Sequence, residues 1–216
     1  MPPPCPVCLN QRTRHFLTVD HQVYWRCRQC QATFLDPEQR PDADTEKAEY
    51  DRHENHPDDP SYRRFLATLA TPLLERLAPG SKGLDFGCGP GPALAAMLEE
   101  SGHRVSVYDP YYFPDQDALE RQYDFVTATE VVEHLHDPAG TLELIDRLVR
   151  PGGWIGIMTR FQTDDARFAN WHYRRDPTHV VFYRIATFRW LGESLGWNMD
   201  IIPPGIVLAR KNKGRA

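Results

Sequence analysis

The 216-residue sequence contains no long apolar run; no stretch approaches the ~18 consecutive apolar residues that suggest a membrane-spanning helix. It has no excess of positive charge either. Acidic residues number 30 against 25 basic ones, a formal net charge of −5, which excludes a protein whose whole surface is built to grip phosphate backbones, although a local basic patch is compatible with it. The start, Met-Pro-Pro-Pro-Cys, lacks the basic head and apolar stretch of a secretory leader, so the expected setting is cytoplasmic, with no membrane partner. Cysteine is scarce, at five residues, and 19 prolines with 14 glycines fall short of a disordered or fibrous composition. Internal repeats and low-complexity tracts are missing. What is present is a globular composition: 41% hydrophobic and 11% aromatic residues supply a core, and the length suits one domain with a small appendage.

Charge is distributed unevenly. Residues 1–35 carry Arg12, Arg14, Arg26 and Arg28 against Asp20, whereas residues 36–60 hold ten acidic and three basic side chains with four prolines and no apolar periodicity. The division expected is a small ribbon over 1–35, an acidic linker or lid over 36–60, an α/β domain over 61–210 and a basic tail over 211–216.

Four of the five cysteines fall in two pairs, Cys5-Pro6-Val7-Cys8 and Cys27-Arg28-Gln29-Cys30. Each C-x2-C knuckle offers two thiolates from one tight turn, and a ~35-residue unit is too small to stand on apolar burial alone, so the spacing predicts a closed, structural Zn2+ site. Disulfides and free thiols are the competing readings; a chain without a secretory leader argues against the first. The ribbon is expected to have its own core. Its arginines with Tyr24 and Trp25 suit nucleic acid, packing on the larger domain, or covering a pocket.

From Pro60 onward helices and strands alternate. A helical pattern interrupted by Pro72 leads to the strand Gly83–Phe86, a glycine-rich turn, a helix ending at Gly102, and strands over 104–109 and 123–129. A helix then covers 142–149, a strand follows Gly153, a helix spans 185–195, and Pro203-Pro204-Gly205 joins two last strands. Such alternation predicts a doubly wound, mostly parallel sheet, closed by an antiparallel hairpin. The turn reads Gly87-Cys88-Gly89-Pro90-Gly91, with Asp85 before it and Asp109 ending the next strand. Glycines let a backbone approach a ligand, the following helix presents free N–H groups, and an acid at that interval accepts hydrogen bonds from ribose hydroxyls. Pro92 stands close to where a nicotinamide enzyme would need its third glycine, which weighs against that alternative.

These residues resemble the nucleotide loop of class I S-adenosylmethionine-dependent methyltransferases. Tyr123-Asp124-Phe125-Val126 with Glu130-Val131-Val132-Glu133-His134-Leu135, and Leu148-Val149-Arg150-Pro151-Gly152-Gly153, match two further landmarks in order. The resemblance covers residues ~61–210. It implies a Rossmann-like fold, methyl transfer from S-adenosylmethionine, and cofactor binding by Asp85, Gly87, Cys88, Gly89, Gly91, Asp109 and Glu130. One departure stands out: the interval from Asp109 to Tyr123 leaves the family's third strand short or missing, with Asp117 or Gln116 as stand-ins for its adenine-contacting acid.

Glu130, Glu133 and His134 stand at i, i+3 and i+4. On a helix they would share one face, and with His179 from Asp176-Pro177-Thr178-His179 they would offer a divalent cation (Mg2+, Mn2+ or Zn2+) four ligands. The pattern resembles metal-assisted O-methyltransferases of small-RNA ribose ends and of ubiquinone synthesis. The competing reading makes Glu133 or His134 a brace of the helix, with His134 and His179 moving protons. Phe168–Arg175 is expected either as the wall of an acceptor pocket or as core, with Arg174 and Arg175 suited to an anionic acceptor. The expected partner is a small-molecule acceptor methylated on oxygen. RNA gripped by the ribbon and tail, and a non-catalytic cofactor-binding adaptor, are the alternatives. The oligomeric state is not legible.

Overall fold

The computed structural model describes residues 1–52 and 56–213. The amino end forms an antiparallel meander, β1 (Thr13–Val19), β2 (Gln22–Cys27) and β3 (Thr33–Leu35). Asp20 and His21 turn β1 into β2 with φ of 52° and 66°, both left-handed, so the turn's twist follows that of the strands. The acidic segment is folded rather than a bare linker: a 3-10 turn at Pro37–Gln39 precedes helix α1 (Ala43–Tyr50), whose first turn is capped by the Asp42 carboxylate accepting from Thr45 N at 2.9 Å. Residues 53–55 of that segment lie outside the described residues. Helix α2 (Pro60–Leu74) opens on a proline at its first turn, capped by Asp59, and runs through Pro72 as one element.

The body follows the predicted alternation: β4 (Lys82–Phe86), α3 (Ala93–Glu100), β5 (Arg104–Tyr108), β6 (Tyr123–Thr129), α4 (Pro138–Leu148), β7 (Val149–Met158), β8 (Val181–Phe182), α5 (Ile185–Leu195), β9 (Trp197–Ile202) and β10 (Ile206–Lys211). Six strands make one sheet in the order β5-β4-β6-β7-β10-β9, parallel through β7 and antiparallel over the last two. The third strand of the family pattern is absent among the described residues. In its place Asp109 and Phe113 form a single bridge, followed by a 3-10 turn at Gln116–Glu120 that holds both proposed stand-ins, Gln116 and Asp117.

Strand β10 shows how the sheet is buried on both faces. Ile206 and Leu208 join the core made by α2 and α3, whereas Val207 and Ala209 face the one made by α4 and α5, the two-residue period of a strand. Lys211, assigned above to the tail, is the last residue of β10 and donates to Asp146 Oδ2 at 2.9 Å; the remainder of the tail from residue 214 lies outside the described residues.

The expectation of separate cores does not hold. β8, from the body, pairs with β3 and completes the amino-terminal sheet, β1-β2-β3-β8. Cys5, Val7, Tyr24 and Phe34 belong to the same apolar cluster as Tyr183, Phe188 and Ile157. Buried Arg26 donates to Asp165 Oδ1 at 2.8 Å, and buried Arg174 donates to Asp20 Oδ2 at 2.7 Å. Each of these pairs crosses the junction.

Candidate active site

A cavity of about 740 Å3 opens at the carboxyl ends of β4, β5 and β6, where an open α/β sheet places its ligands. One wall is the turn after β4. Gly87 (φ +72°) and Gly89 (φ +65°) take left-handed backbone, and a Cβ on Gly87 would stand 2.5 Å from Val131, so a side chain there would close the turn. Asp109 holds this wall together: Oδ2 accepts from Gly89 N at 3.0 Å, and Oδ1 accepts from Tyr111 N and Tyr112 N at 2.9 and 3.2 Å. Gly87, Cys88, Gly89 and Asp109 all line the cavity. Burial pushes the Cys88 thiol up and keeps it neutral.

Asp85 and Gly91 are exceptions. Neither is among the lining residues. Asp85 is 2% exposed; it accepts from Thr127 Oγ1 at 2.7 Å and from the Ala95 N–H. It ties β4, β6 and α3 together beneath the loop, and burial pushes its carboxyl up to about 7.

The opposite wall follows β6. No helix begins there; residues 132–134 form a turn, and Glu130 itself is left-handed at φ +51°. That conformation is costly for a non-glycine residue. It sets Glu130 on the cavity wall, with its N–H bonded to Met158 O at 2.8 Å. Burial pushes the Glu130 carboxyl up to about 7. Glu133 is 1% exposed and lies behind the lining. Its Oε1 accepts from the Tyr173 hydroxyl, and its buried Oε2 has no hydrogen-bond partner among the described residues. Burial raises this carboxyl well above the usual range, and the neighbouring Glu130 charge adds to the rise.

Tyr173 is the hub of the wall. Besides Glu133, its hydroxyl lies 3.3 Å from Glu130 Oε2 and 3.1 Å from Thr159 Oγ1, and it accepts from Arg160 N at 3.3 Å. His179 packs against its ring at a tilt with centroids 4.1 Å apart, and the His134 ring centroid stands 4.6 Å from that of His179. His134 Nδ1 is 3.1 Å from Thr178 O and His179 Nδ1 is 2.6 Å from Tyr173 O. A carbonyl only accepts, so Nδ1 carries the hydrogen in both rings and Nε2 is the basic nitrogen.

Glu133, His134 and His179 therefore converge, with ligand atoms all within 4.8 Å of one another. Glu130 is not in that group, so the predicted four-ligand set loses one member. Arg174 is not in the pocket either: it is 2% exposed and spent on Asp20 and Gln22 at the ribbon junction. The segment expected to wall the acceptor site contributes through Tyr173 alone among its residues 168–175.

Helix α1 roofs the cavity. Tyr50 lies against His134 and Tyr111 at 5.3 and 5.8 Å between ring centroids. Glu46 Oε2 accepts from Tyr111 Oη at 3.1 Å, and Asp51 Oδ1 accepts from Tyr112 Oη at 2.7 Å. Sequence reasoning missed Tyr50, Glu46 and the hydroxyl of Tyr173. Nothing in their spacing marks them; the available signal, Tyr108, Tyr111 and Tyr112 around Asp109, points to an aromatic wall but not to Tyr50, Glu46 or Tyr173.

Away from the cavity, the Sγ atoms of Cys5 and Cys30 are 3.6 Å apart and those of Cys8 and Cys27 are 3.4 Å apart, all four within 4.8 Å. The residue after each knuckle, Leu9 and Gln31, is left-handed, and Cys5 N and Cys27 N donate to the carbonyls of Asn10 and Ala32. A tetrahedron of ~2.3 Å metal–sulfur bonds has edges of about 3.8 Å, close to these spacings.

A parallel sheet with a glycine turn, a strand-end acid and a carboxylate–imidazole wall defines an α/β nucleotide-type site. The matching family model is the methyltransferase domain, over residues 60–200; the chain belongs to this family. Curated relatives include ubiquinone biosynthesis O-methyltransferases: that of Aeromonas salmonicida is 33% identical over 37% of this chain and 43% of its own length, and that of Leptothrix cholodnii is 47% identical over 37% and 44%. The chain thus spans less than half the length of these relatives. Among solved structures, the fold is similar to the Burkholderia thailandensis 1,6-didemethyltoxoflavin-N1-methyltransferase with bound S-adenosylhomocysteine. That match has a TM-score of 0.57 at 18% identity, over 84% of this chain and 96% of that one. An O-methyltransferase family protein from the same organism matches with a TM-score of 0.52 at 15% identity, over 82% and 66%.

Proposed function

We propose that the protein transfers a methyl group from S-adenosylmethionine to an oxygen of a small-molecule acceptor. The observation that carries this reading is a single cavity with the Gly87–Pro90 turn and Asp109 at one end and Glu130, His134, Tyr173 and His179 at the other. When bound, the cofactor supplies a methyl group activated by its sulfonium sulfur. Asp109 and the glycine turn would hold the nucleoside, and α1 with Tyr50 would exclude water. The acceptor hydroxyl would lie against the far wall and give its proton to His134 Nε2, with His179 fixing the ring. Among the described residues, no lysine or arginine lines the cavity, which favours a neutral acceptor over an anionic one.

RNA is the weaker reading. Of the ribbon's four arginines, Arg26 is buried and paired with Asp165, which leaves Arg12, Arg14 and Arg28 exposed. The four cysteines suit a structural zinc ion by number, chemistry and spacing, and the closed set leaves no open position for catalysis. A second reading adds a divalent cation at Glu133, His134 and His179, motivated by the unpartnered buried Glu133 Oε2. These residues fit as ligands, and the cation would lower the acceptor's pKa.

Incubation with methyl-labelled cofactor and fractionated cell extract tests the reading. Label should enter the small-molecule fraction; label confined to RNA, or cofactor binding without any transfer, would reject it. Activity unchanged by added Mg2+ or Mn2+, and by exhaustive chelation, would reject the cation.

A further inference from the structure

The ribbon is tied to the active site through its backbone. Strand β8, which completes the ribbon's sheet, begins two residues after His179. Leu35 in β3 donates its N–H to Val180 O at 2.9 Å, and Val180 and Val181 both donate theirs to Glu133 O at 2.9 Å. Val180 is therefore held by the ribbon on one side and by the Glu133 turn on the other. The neighbouring bonds follow the same line: His134 Nδ1 to Thr178 O at 3.1 Å, and Tyr183 Oη to Val132 O at 2.9 Å.

A buried polar seam fixes the register of this junction. Thr33 Oγ1 accepts from Arg26 Nε at 2.7 Å and donates to Gln162 Oε1 at 2.6 Å, and Gln162 N donates to Tyr183 O at 2.7 Å. Arg26, Thr33 and Gln162 are all 3% exposed or less. β8 is only two residues long. Without β3 beside it, the backbone support left around β8 is the pair of bonds from Val180 and Val181 to the Glu133 carbonyl and the bond from Gln162 N to Tyr183 O. The cluster of Glu133, His134 and His179 needs placement finer than that, because displacements near 1 Å at reacting groups cost on the order of 10²-fold in rate.

We infer that the amino-terminal ribbon is a positioning element of the active site: the fold its four cysteines impose sets where β8 stands, and β8 sets where Glu133, His134 and His179 stand. The effect on turnover rests on the function proposed above, whereas the mechanical link can be read without it.

The test uses the full chain with 15N-labelled histidine, in buffer without added divalent cations, and compares the wild type with Gln162→Leu and Cys27→Ser. Zinc content is measured on each sample. In Gln162→Leu, which keeps all four cysteines, zinc should be retained while the imidazole signals of His134 and His179 shift. In Cys27→Ser they should shift further or broaden. His103, packed on Phe125 at 5.9 Å in the core on the other face of the sheet, should not move in either. Methyl transfer should fall about 10–100-fold in kcat, with cofactor affinity unchanged, because the Gly87–Asp109 wall lies away from the seam. Unmoved His134 and His179 signals in both variants, with zinc lost from Cys27→Ser, would overturn the inference. If Cys27→Ser unfolds and His103 moves as well, Gln162→Leu decides alone. Moved ring signals with undiminished methyl transfer would keep the link and reject the catalytic reading of the cluster.

Discussion

Replacing Tyr173 with phenylalanine removes one oxygen from a buried group of acids. The hydroxyl donates to Glu133 Oε1, lies within 3.3 Å of Glu130 and Thr159, and accepts from Arg160 N. The other Glu133 oxygen already has no hydrogen-bond partner among the described residues, so Tyr173→Phe would leave the carboxyl without this support inside the fold. Leaving a buried polar partner unsatisfied costs about 1–3 kcal/mol. The expected loss is thus about 2–3 kcal/mol in urea unfolding at pH 7, with an unchanged slope. Glu133→Leu in the Tyr173→Phe background removes the stranded acid and should recover most of that loss, since deleting both partners is far cheaper than deleting one. The double-mutant cycle should give a coupling above about 1 kcal/mol. Tyr173→Phe within 0.5 kcal/mol of the wild type, or strictly additive effects, would refute the account of Tyr173 as the hub of this wall.

Three further outcomes are expected. Asp109→Ala should weaken S-adenosylmethionine binding by about 1–3 kcal/mol in calorimetry, through lost ribose contacts and release of the three backbone N–H groups it holds; equal affinity would reject its role. Burial raises the Glu130 carboxyl from 4.5 to about 7 and that of Asp85 from 3.8 to about 7. The folded chain therefore binds more protons, and unliganded stability should fall as pH rises from about 4 to 7. Glu130→Gln should reduce the total fall across that interval by about 1–3 kcal/mol, which urea unfolding at pH 5 and pH 8 can check. Freshly purified protein should carry one zinc per chain by metal analysis, and Cys88→Ser should keep it whereas Cys30→Ser should not.

The central sheet was legible because strands buried on both faces read as apolar runs, and because Pro60 and Gly196 punctuate helices; α4 was read from Leu142, whereas it starts at Pro138 behind its Asp137 cap. The glycine turn with Asp109 was legible for a related reason, since left-handed backbone leaves few residues to choose from. Glu130 is the instructive failure. Its spacing to Glu133 and His134 fits a helix face, yet a left-handed residue at the end of β6 starts a turn, which leaves Glu130 near the Tyr173 hydroxyl but outside the group formed by Glu133, His134 and His179. Asp85 differs in another way: an acid beside a glycine loop reads as part of the cavity wall, whereas here it is buried beneath the loop and bonded to Thr127 and the Ala95 N–H. The joining of ribbon and body through β8 could not be read at all. A two-residue strand has no periodicity, and its partner β3 lies nearly 150 residues earlier.

Helix α1 contains no buried residue. Its hold on the body is a few polar contacts at Glu46 and Asp51 and the edge of the Tyr50 ring. With no apolar side chain buried beneath it, α1 is the part of the cavity wall that lifts at least cost, because polar contacts at an exposed edge are individually weak. Passage of a ligand beneath α1 would then draw on that local lifting and not on any opening of the sheet. A helix that contributes little to the stability of the fold thus stands where it would bear most on movement into and out of the cavity.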